Sequence, residues 1–247
     1  MIGVDIGTTS TKSVLFSIDG SVIASHGIEY PLHSPAPETA EQDPEEIFQA
    51  VIHTIKETVQ SSNIQPIDIL CISFSSAMHS VIAIDEEGNP LTRCITWADN
   101  RSASWAEKIK SDMNGHEIYL RTGTPIHPMS PLSKLVWLQN EHAELFAKSY
   151  KFISIKEYIF YKLFKEYVID YSIASATGMF NLKSLKWDEE ALRVAGISGE
   201  KLSKLVPTTH SLRGLDEELA KEMNVLVSTP FVVGASDGVL SNLGVNA

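Results

Sequence analysis

Residues 2–29 constrain the fold of this chain more than any other stretch. Ile2–Gly7 and Ser13–Ile18 are short runs rich in β-branched residues, the residue types that fit a pleated, half-buried surface. Asp19-Gly20 follows the second run and is a strong hairpin signal, because a tight β-turn needs residues that tolerate positive φ. A third run over Val22–Glu29 completes three consecutive antiparallel strands. A helix comes next. Asp43 is placed as its N-cap, Pro44 suits the first helical position, and Glu46 completes a capping-box pattern. Ile47, Phe48, Val51, Ile52, Ile55 and Val59 then recur at helical spacing and form one apolar face.

Further along, Asp68–Ser75 reads as a buried strand, Val81–Asp85 as another and Arg93–Trp97 as a short third, with a turn at Glu87-Gly88-Asn89. From Ala103 the periodicity becomes mostly helical, over about 103–113, 131–146, 156–165, 188–195 and 215–223. Pro230–Gly234 is a last buried strand, and 238–243 begins another helical stretch. Strands first, helices between and a strand near the end predict an α/β domain with a mixed sheet and a mainly helical insertion.

Composition narrows the class. Hydrophobic residues make up 43% and charged residues 21% of 247, an ordinary globular balance with enough length for a sizeable core. The net charge of -11 argues against nucleic acid or an anionic membrane as the main partner, since phosphate binding is driven by Lys and Arg. It also means that an anionic substrate would need local cations. Cys71 lies in an apolar run and reads as a small buried hydrophobe, and with Cys94 it forms no disulfide or zinc pattern. The absence of a basic leader and of a long apolar run points to a cytoplasmic protein.

Four segments could carry chemistry. Asp5-Ile6-Gly7-Thr8-Thr9-Ser10-Thr11-Lys12 places a carboxylate at a strand end before a turn rich in hydroxyl and amine donors. It is either an anion-binding nest beside a Mg²⁺ carboxylate or a plain polar hairpin turn. Gly234-Ala235-Ser236-Asp237-Gly238 is another strand end with one carboxylate among small residues, either a general base or an Asx-turn that ends the strand. Ser75–Ser80, with Met78 and His79, offers hydroxyls and an imidazole to a polyol. Its alternatives are a structural histidine, or a hydrolase pair of Ser76 and His79 that lacks the usual elbow motif. Thr96–Arg101 sets Trp97 beside Asp99, Asn100 and Arg101, which suits either a sugar or a helix N-terminus. Neither a Walker-type nor a dinucleotide-binding glycine pattern occurs.

Taken together, these segments resemble a known family. Asp5–Lys12 looks like the first phosphate loop of the FGGY carbohydrate kinases. Met129-x-Pro131-x-x-Lys134-Leu135-x-Trp137-Leu138-x-Asn140-Glu141 is similar to that family's diagnostic pattern at every defined position. Ser76–His79 and Thr96–Arg101 resemble its sugar-binding loops, and Gly234–Gly238 its catalytic segment. Within the family, Ser75–Ser80, Ile95–Ser102, Thr122–Met129, Lys156-Glu157-Tyr158 and Asp170–Ala176 look most like gluconate-phosphorylating members. Xylulose-phosphorylating members resemble it too, but typically carry Gly-Gln where this chain has Ser76-Ala77.

The resemblance implies a ribonuclease-H-like, actin-related fold. Residues 1–247 would be the amino-terminal, sugar-binding domain, with the carboxy-terminal nucleotide-binding domain outside this chain. It implies ATP and Mg²⁺ as cofactors and a sugar acid or polyol as substrate, with transfer of the γ-phosphoryl group to the terminal hydroxyl of D-gluconate. Asp237 would be the catalytic base, Asp5 and Asp237 the metal ligands, and Gly7, Thr8, Thr9, Ser10 and Lys12 the phosphate binders. Met78, His79, Trp97, Asp99, Arg101, His127 and Lys156 would contact the sugar with Asp237, and His127, Lys156 and Arg101 are the candidates for the gluconate carboxylate. Kinases of this family are often homodimers. The rival expectations are a xylulose or other polyol kinase, a non-catalytic actin-like nucleotide-binding module, and the hydrolase.

Overall fold

The computed structural model of the chain describes residues 1–245. Strands β1 (Ile2–Ile6), β2 (Ser10–Phe16) and β3 (Val22–Glu29) form the expected antiparallel ribbon. β2 starts three residues earlier than its hydropathy suggests. Thr11, Ser13 and Leu15 form its buried face, and the two hydroxyl residues are accepted there because each is bonded. Ser13 donates to Thr54 Oγ1 at 2.9 Å, and Thr11 pairs with the Tyr30 hydroxyl at 3.2 Å; a satisfied hydroxyl loses little on burial. Ile18, expected inside the strand, sits in the following turn and is 87% exposed.

A two-residue strand β4 (Glu41–Gln42) leads into helix α1 (Pro44–Ser62). The Asp43 carboxylate accepts from the N–H groups of Glu45 and Glu46, and Asn63 ends the helix in the left-handed conformation. The reciprocal bond from Glu46 does not form, so the cap is a single-sided one. All six apolar residues read from the sequence are buried, and they pack on β2 and β3. Each such side chain contributes about 1.5–3 kcal/mol on transfer from water.

After α1 the chain returns as β5 (Ile72–Ser76), parallel to β1. It begins later than expected because Pro66–Asp68 forms a 3-10 turn. Cys71 is half-buried rather than fully buried, which corrects its reading as a core residue. The long insertion comes after β5. Its first part holds β6 (Ile82–Ile84), β7 (Cys94–Ile95), α2 (Ala103–Asp112), α3 (Gly115–Thr122), α4 (Pro131–Glu141) and α5 (Ala143–Lys148). The single helix expected over 131–146 is two, broken at His142. The second part holds β8 (Lys151–Ile153), α6 (Ile155–Phe164), β9 (Val168–Asp170), α7 (Tyr171–Ser175), β10 (Phe180–Asn181), β11 (Lys186–Trp187), α8 (Glu189–Ala195) and β12 (Lys204–Val206).

The chain then rejoins the main sheet through β13 (Ser211–Leu212), helix α9 (Glu217–Met223), β14 (Phe231–Ser236) and helix α10 (Asp237–Gly244). The six-stranded order is β13-β14-β5-β1-β2-β3, with β14, β5 and β1 parallel and the others antiparallel. This is the predicted mixed sheet. One apolar cluster joins α1, α6 and the sheet, and a second, centred on Leu132, Leu135 and Trp137 of α4, stabilises the insertion. Among the described residues no helix is long and apolar enough to cross a membrane.

Candidate active site

Parallel strands that end side by side bring the residues just beyond them to one edge of the sheet, and open α/β sheets bind ligands there. Ile6 of β1 pairs with Ser76 of β5, and Ser76 with Ser236 of β14. The next residues in each chain segment are Gly7, Ala77 and Asp237. The Ala77 N–H donates to the Ile6 carbonyl at 2.9 Å, and Met78 lies against Gly238, its Cε 3.4 Å from where a Cβ would stand. Three of the four segments singled out from the sequence therefore meet.

The turn after β1 consists of Gly7, Thr8 and Thr9. Each of its carbonyls is tied to the fold. Gly7 O accepts from the Tyr30 hydroxyl at 2.7 Å, Thr8 O from Gln42 Nε2 at 2.6 Å, and Thr9 O from the Tyr30 N–H at 3.1 Å. The N–H groups of Thr8 and Thr9 have no partner among the described residues. Thr8 Oγ1 accepts from Trp97 Nε1 at 2.9 Å, which leaves its own proton free to donate. Free N–H groups and a free hydroxyl proton at a turn make a concavity suited to phosphate oxygens.

Two expectations for this loop need correction. The Gly7 N–H is consumed inside the turn by the Ser10 carbonyl at 2.9 Å, so Gly7 shapes the loop and its N–H offers no bond. Ser10, Thr11 and Lys12 belong to β2 and not to the turn. Ser10 borders the loop, whereas Lys12 is an exposed strand residue directly opposite Asp5.

Asp5 is exposed and Asp237 half-buried, on strands separated by β5. Two strand spacings put their positions roughly 10 Å apart. Among the described residues no group of three or more His, Cys, Asp or Glu converges as a metal cage. Two separated carboxylates fit a hydrated Mg²⁺, which retains waters and takes most of its remaining ligands from phosphates.

An open pocket of about 310 Å³ lies beside these strand ends, lined by Met78, His79, Thr122–Pro125, Met129, Ser175, Ala176 and Leu182. His79 is held in the left-handed region at φ 69°. Its Nδ1 lies 2.8 Å from the Ala176 carbonyl, an acceptor-only partner, so the ring proton sits on Nδ1. Burial pushes this imidazole down to about 4, helped by the nearby Lys134 ammonium, and leaves Nε2 as a neutral acceptor. His127 is exposed, and its Nδ1 accepts from the Met129 N–H at 3.2 Å, which leaves Nε2–H outward.

Trp97 is 48% exposed, with its indole N–H bonded to the Thr8 hydroxyl oxygen of the turn after β1. The rest of its segment is corrected by the structure. Asp99 is fully buried, accepts from the Ala40 N–H at 2.9 Å and from Arg101 Nε at 3.0 Å, and has no surface to offer a sugar. Arg101 pairs with both Asp99 and Glu41 and stacks its guanidinium 4.6 Å from the Trp137 ring centroid. Its charge is balanced inside the protein. Lys156, the third candidate for a substrate carboxylate, is buried and paired with Asp170 Oδ2 at 2.6 Å. Of the three, His127 is exposed and without an acidic partner, whereas Arg101 is partly exposed but already paired.

Sequence reasoning gave no role to the residues that hold this site, although Lys134 stood in the family pattern. Tyr30 and Gln42 anchor the phosphate turn. Lys134, fully buried, donates to the carbonyls of His79 at 2.7 Å and Met129 at 2.8 Å, joining two walls of the pocket, and burial pushes its ammonium down to about 7. A lone lysine within the apolar run Pro131–Leu138 was the signal for it. No local pattern marks Tyr30 or Gln42.

Comparison with known proteins agrees with this geometry. The sequence model of the FGGY family of carbohydrate kinases, N-terminal domain, matches residues 1–244. The chain is 64% identical over 247 residues to a gluconokinase of Bacillus subtilis, covering all of this chain and 48% of that protein. The crystal structure of a gluconate kinase from Lactobacillus acidophilus superposes with a TM-score of 0.96 at 41% identity, over 100% of this chain and 49% of that one. A ligand-bound structure described as a xylulose kinase from Lactobacillus acidophilus gives the same TM-score of 0.96 and 41% identity, over 100% of this chain and 50% of that one. The chain thus spans about half the length of the relatives it matches.

Proposed function

The chain belongs to the FGGY family of carbohydrate kinases, and from that premise we propose that it is the amino-terminal, sugar-binding half of an ATP-dependent gluconokinase. The nucleotide-binding domain would lie outside residues 1–247. The observation that carries this reading is the meeting of Thr8-Thr9, Met78-His79 and Asp237 at the ends of β1, β5 and β14. Phosphate donors, a sugar pocket and a carboxylate then share one edge.

In the proposed reaction, Asp237 accepts the proton of the terminal hydroxyl of gluconate as that oxygen bonds the γ-phosphorus of ATP. The bond from that phosphorus to the β-phosphate bridging oxygen breaks, ADP leaves, and 6-phosphogluconate remains. A Mg²⁺ held by Asp5 and Asp237 would neutralise charge on the phosphates when bound. Thr8 and Thr9 bind phosphate oxygens through N–H and hydroxyl, with Ser10 at the border of the loop. Met78, Trp97 and the Nε2 atoms of His79 and His127 shape and bond the sugar, and His127 faces the carboxylate. Such transfer rests on positioning and on electrostatic stabilisation, so exclusion of water by the proposed nucleotide-binding domain would matter. The xylulose-kinase description of one close structure makes D-xylulose the second reading.

Calorimetric titration of the chain with D-gluconate, D-xylulose and glycerol tests the proposal. Selective gluconate binding, weakened about tenfold or more by Trp97→Ala, is expected. Selective xylulose binding establishes the second reading. Binding to none by the full-length enzyme overturns both.

A further inference from the structure

Lys156 is buried and paired with Asp170, a position that gives it a role other than direct contact with the substrate carboxylate. Lys156 Nζ reaches Asp170 Oδ2 at 2.6 Å and donates to the Ala235 carbonyl at 3.1 Å. Asp170 Oδ1 accepts from the Ser172 hydroxyl at 2.5 Å, and the same hydroxyl oxygen accepts from the Ser236 N–H at 2.8 Å. The Ala235 carbonyl and the Ser236 N–H are the two ends of one peptide unit. Only the Ser236–Asp237 peptide lies between that unit and the Asp237 side chain.

This peptide lies just past an irregularity in β14 and beyond the end of the β13 pairing. Just upstream, β14 shifts register against β5 between Val232 and Ala235 and pairs again at Ala235 and Ser236; within the shift Gly234 has a φ of +68°, and an added Cβ there would stand 1.9 Å from the Phe74 carbonyl oxygen. On the outer edge, Val233 and Gly234 still donate to His210 and Thr208, but the paired residues of β13 oppose only Phe231 and Val232. A bulge releases the backbone from the regular ladder and re-aims the residues beyond it. Asp170, fully buried, is the common root of both bonds that hold the re-aimed peptide.

We infer that Lys156, Asp170 and Ser172 form a clamp on the Ala235–Ser236 peptide that aims the Asp237 carboxylate at the substrate hydroxyl. They are positioning residues and touch no substrate. The inference rests on the proposed role of Asp237 and adds the device that aligns it. Loss of alignment at a reacting atom lowers the rate of the chemical step with little effect on sugar binding.

Asp170 also caps α7, so the test rests on Ser172. In the full-length enzyme, Ser172→Ala is expected to lower kcat for gluconate about tenfold or more, with KM within about twofold. Ser172→Thr, which restores a hydroxyl, recovers most of it. Amide exchange at Ser236 provides a readout independent of catalysis, faster in Ser172→Ala and near wild type in Ser172→Thr. An unchanged kcat in Ser172→Ala, or a loss that Thr does not restore, overturns the inference. So does a KM increase confined to gluconate in Lys156→Met, which would return Lys156 to direct carboxylate binding. If the wild-type enzyme phosphorylates none of the tested sugars, the functional reading falls, and Ser236 exchange still decides whether the clamp exists.

Discussion

At the scale of single residues, the site is a set of ordinary groups given narrow tasks by their surroundings. His79 is kept neutral by burial, which outweighs its bond to the Ala176 carbonyl, so it accepts from a hydroxyl instead of attracting an anion. Arg101 spends its charge on Asp99 and Glu41. Asp237 stays half-open at a strand end, and the proposed chemistry requires its carboxylate. Asp237→Asn keeps the size and removes the base, so kcat should fall by roughly 10²–10⁴-fold while sugar affinity changes little. Coupled ADP-release kinetics beside sugar titration measure the two effects separately. Comparable losses in both would assign Asp237 to binding instead.

Among the elements, α6 shows how a helix start can tie stability to pH. Ser154 and Glu157 form a capping box, with Glu157 accepting from the Ser154 N–H at 2.6 Å. Burial raises the Glu157 carboxyl from 4.5 to about 7. Between those values the folded chain binds more protons at this site than the unfolded one, so the Glu157 contribution to stability falls as pH rises from about 4.5 to 7. His79, shifted the other way, contributes a rise with pH between about 4 and 6.5. Glu157→Gln keeps an acceptor for Ser154 and removes the titration. Urea midpoints of the variant and wild type, measured across that range, should therefore diverge in slope, the variant gaining relative stability toward pH 7. Parallel curves would mean that Glu157 titrates as it does in the unfolded chain.

For the whole molecule, the two apolar clusters divide the labour. The sheet and α1 build the frame that carries the strand ends, and the α4-centred insertion supplies the far wall of the pocket. A sugar that bridges strand ends and insertion binds only the folded arrangement, so it must stabilise the whole chain. Gluconate at about 100 times its dissociation constant should raise the melting temperature by about 5–10 °C. Glycerol at the same concentration should leave it near the unliganded value. Thermal denaturation with each ligand measures this, and an equal shift from both would remove the case for sugar-acid selectivity.

Periodicity and turn chemistry act over a few residues, so the sequence by itself determined the opening ribbon, the capped α1 and its six buried side chains, the last strand, and the motifs that mark the family. It also located Asp5, Thr8, Thr9, Met78, His79, Trp97 and Asp237 as a candidate set. Contacts between distant segments were not legible in it. The early start of β2 depended on Tyr30 and Thr54 satisfying buried hydroxyls, which no local pattern records. Asp99, Arg101 and Lys156 looked available because a charged residue in a sequence carries no information about its partner. Tertiary structure brought Glu41 to the partly exposed Arg101 and Asp170 to the buried Lys156, and for Lys156 burial made the pairing obligatory, since an unpaired charge there is too costly to keep. Which cations remain free for a ligand is therefore a property of the fold.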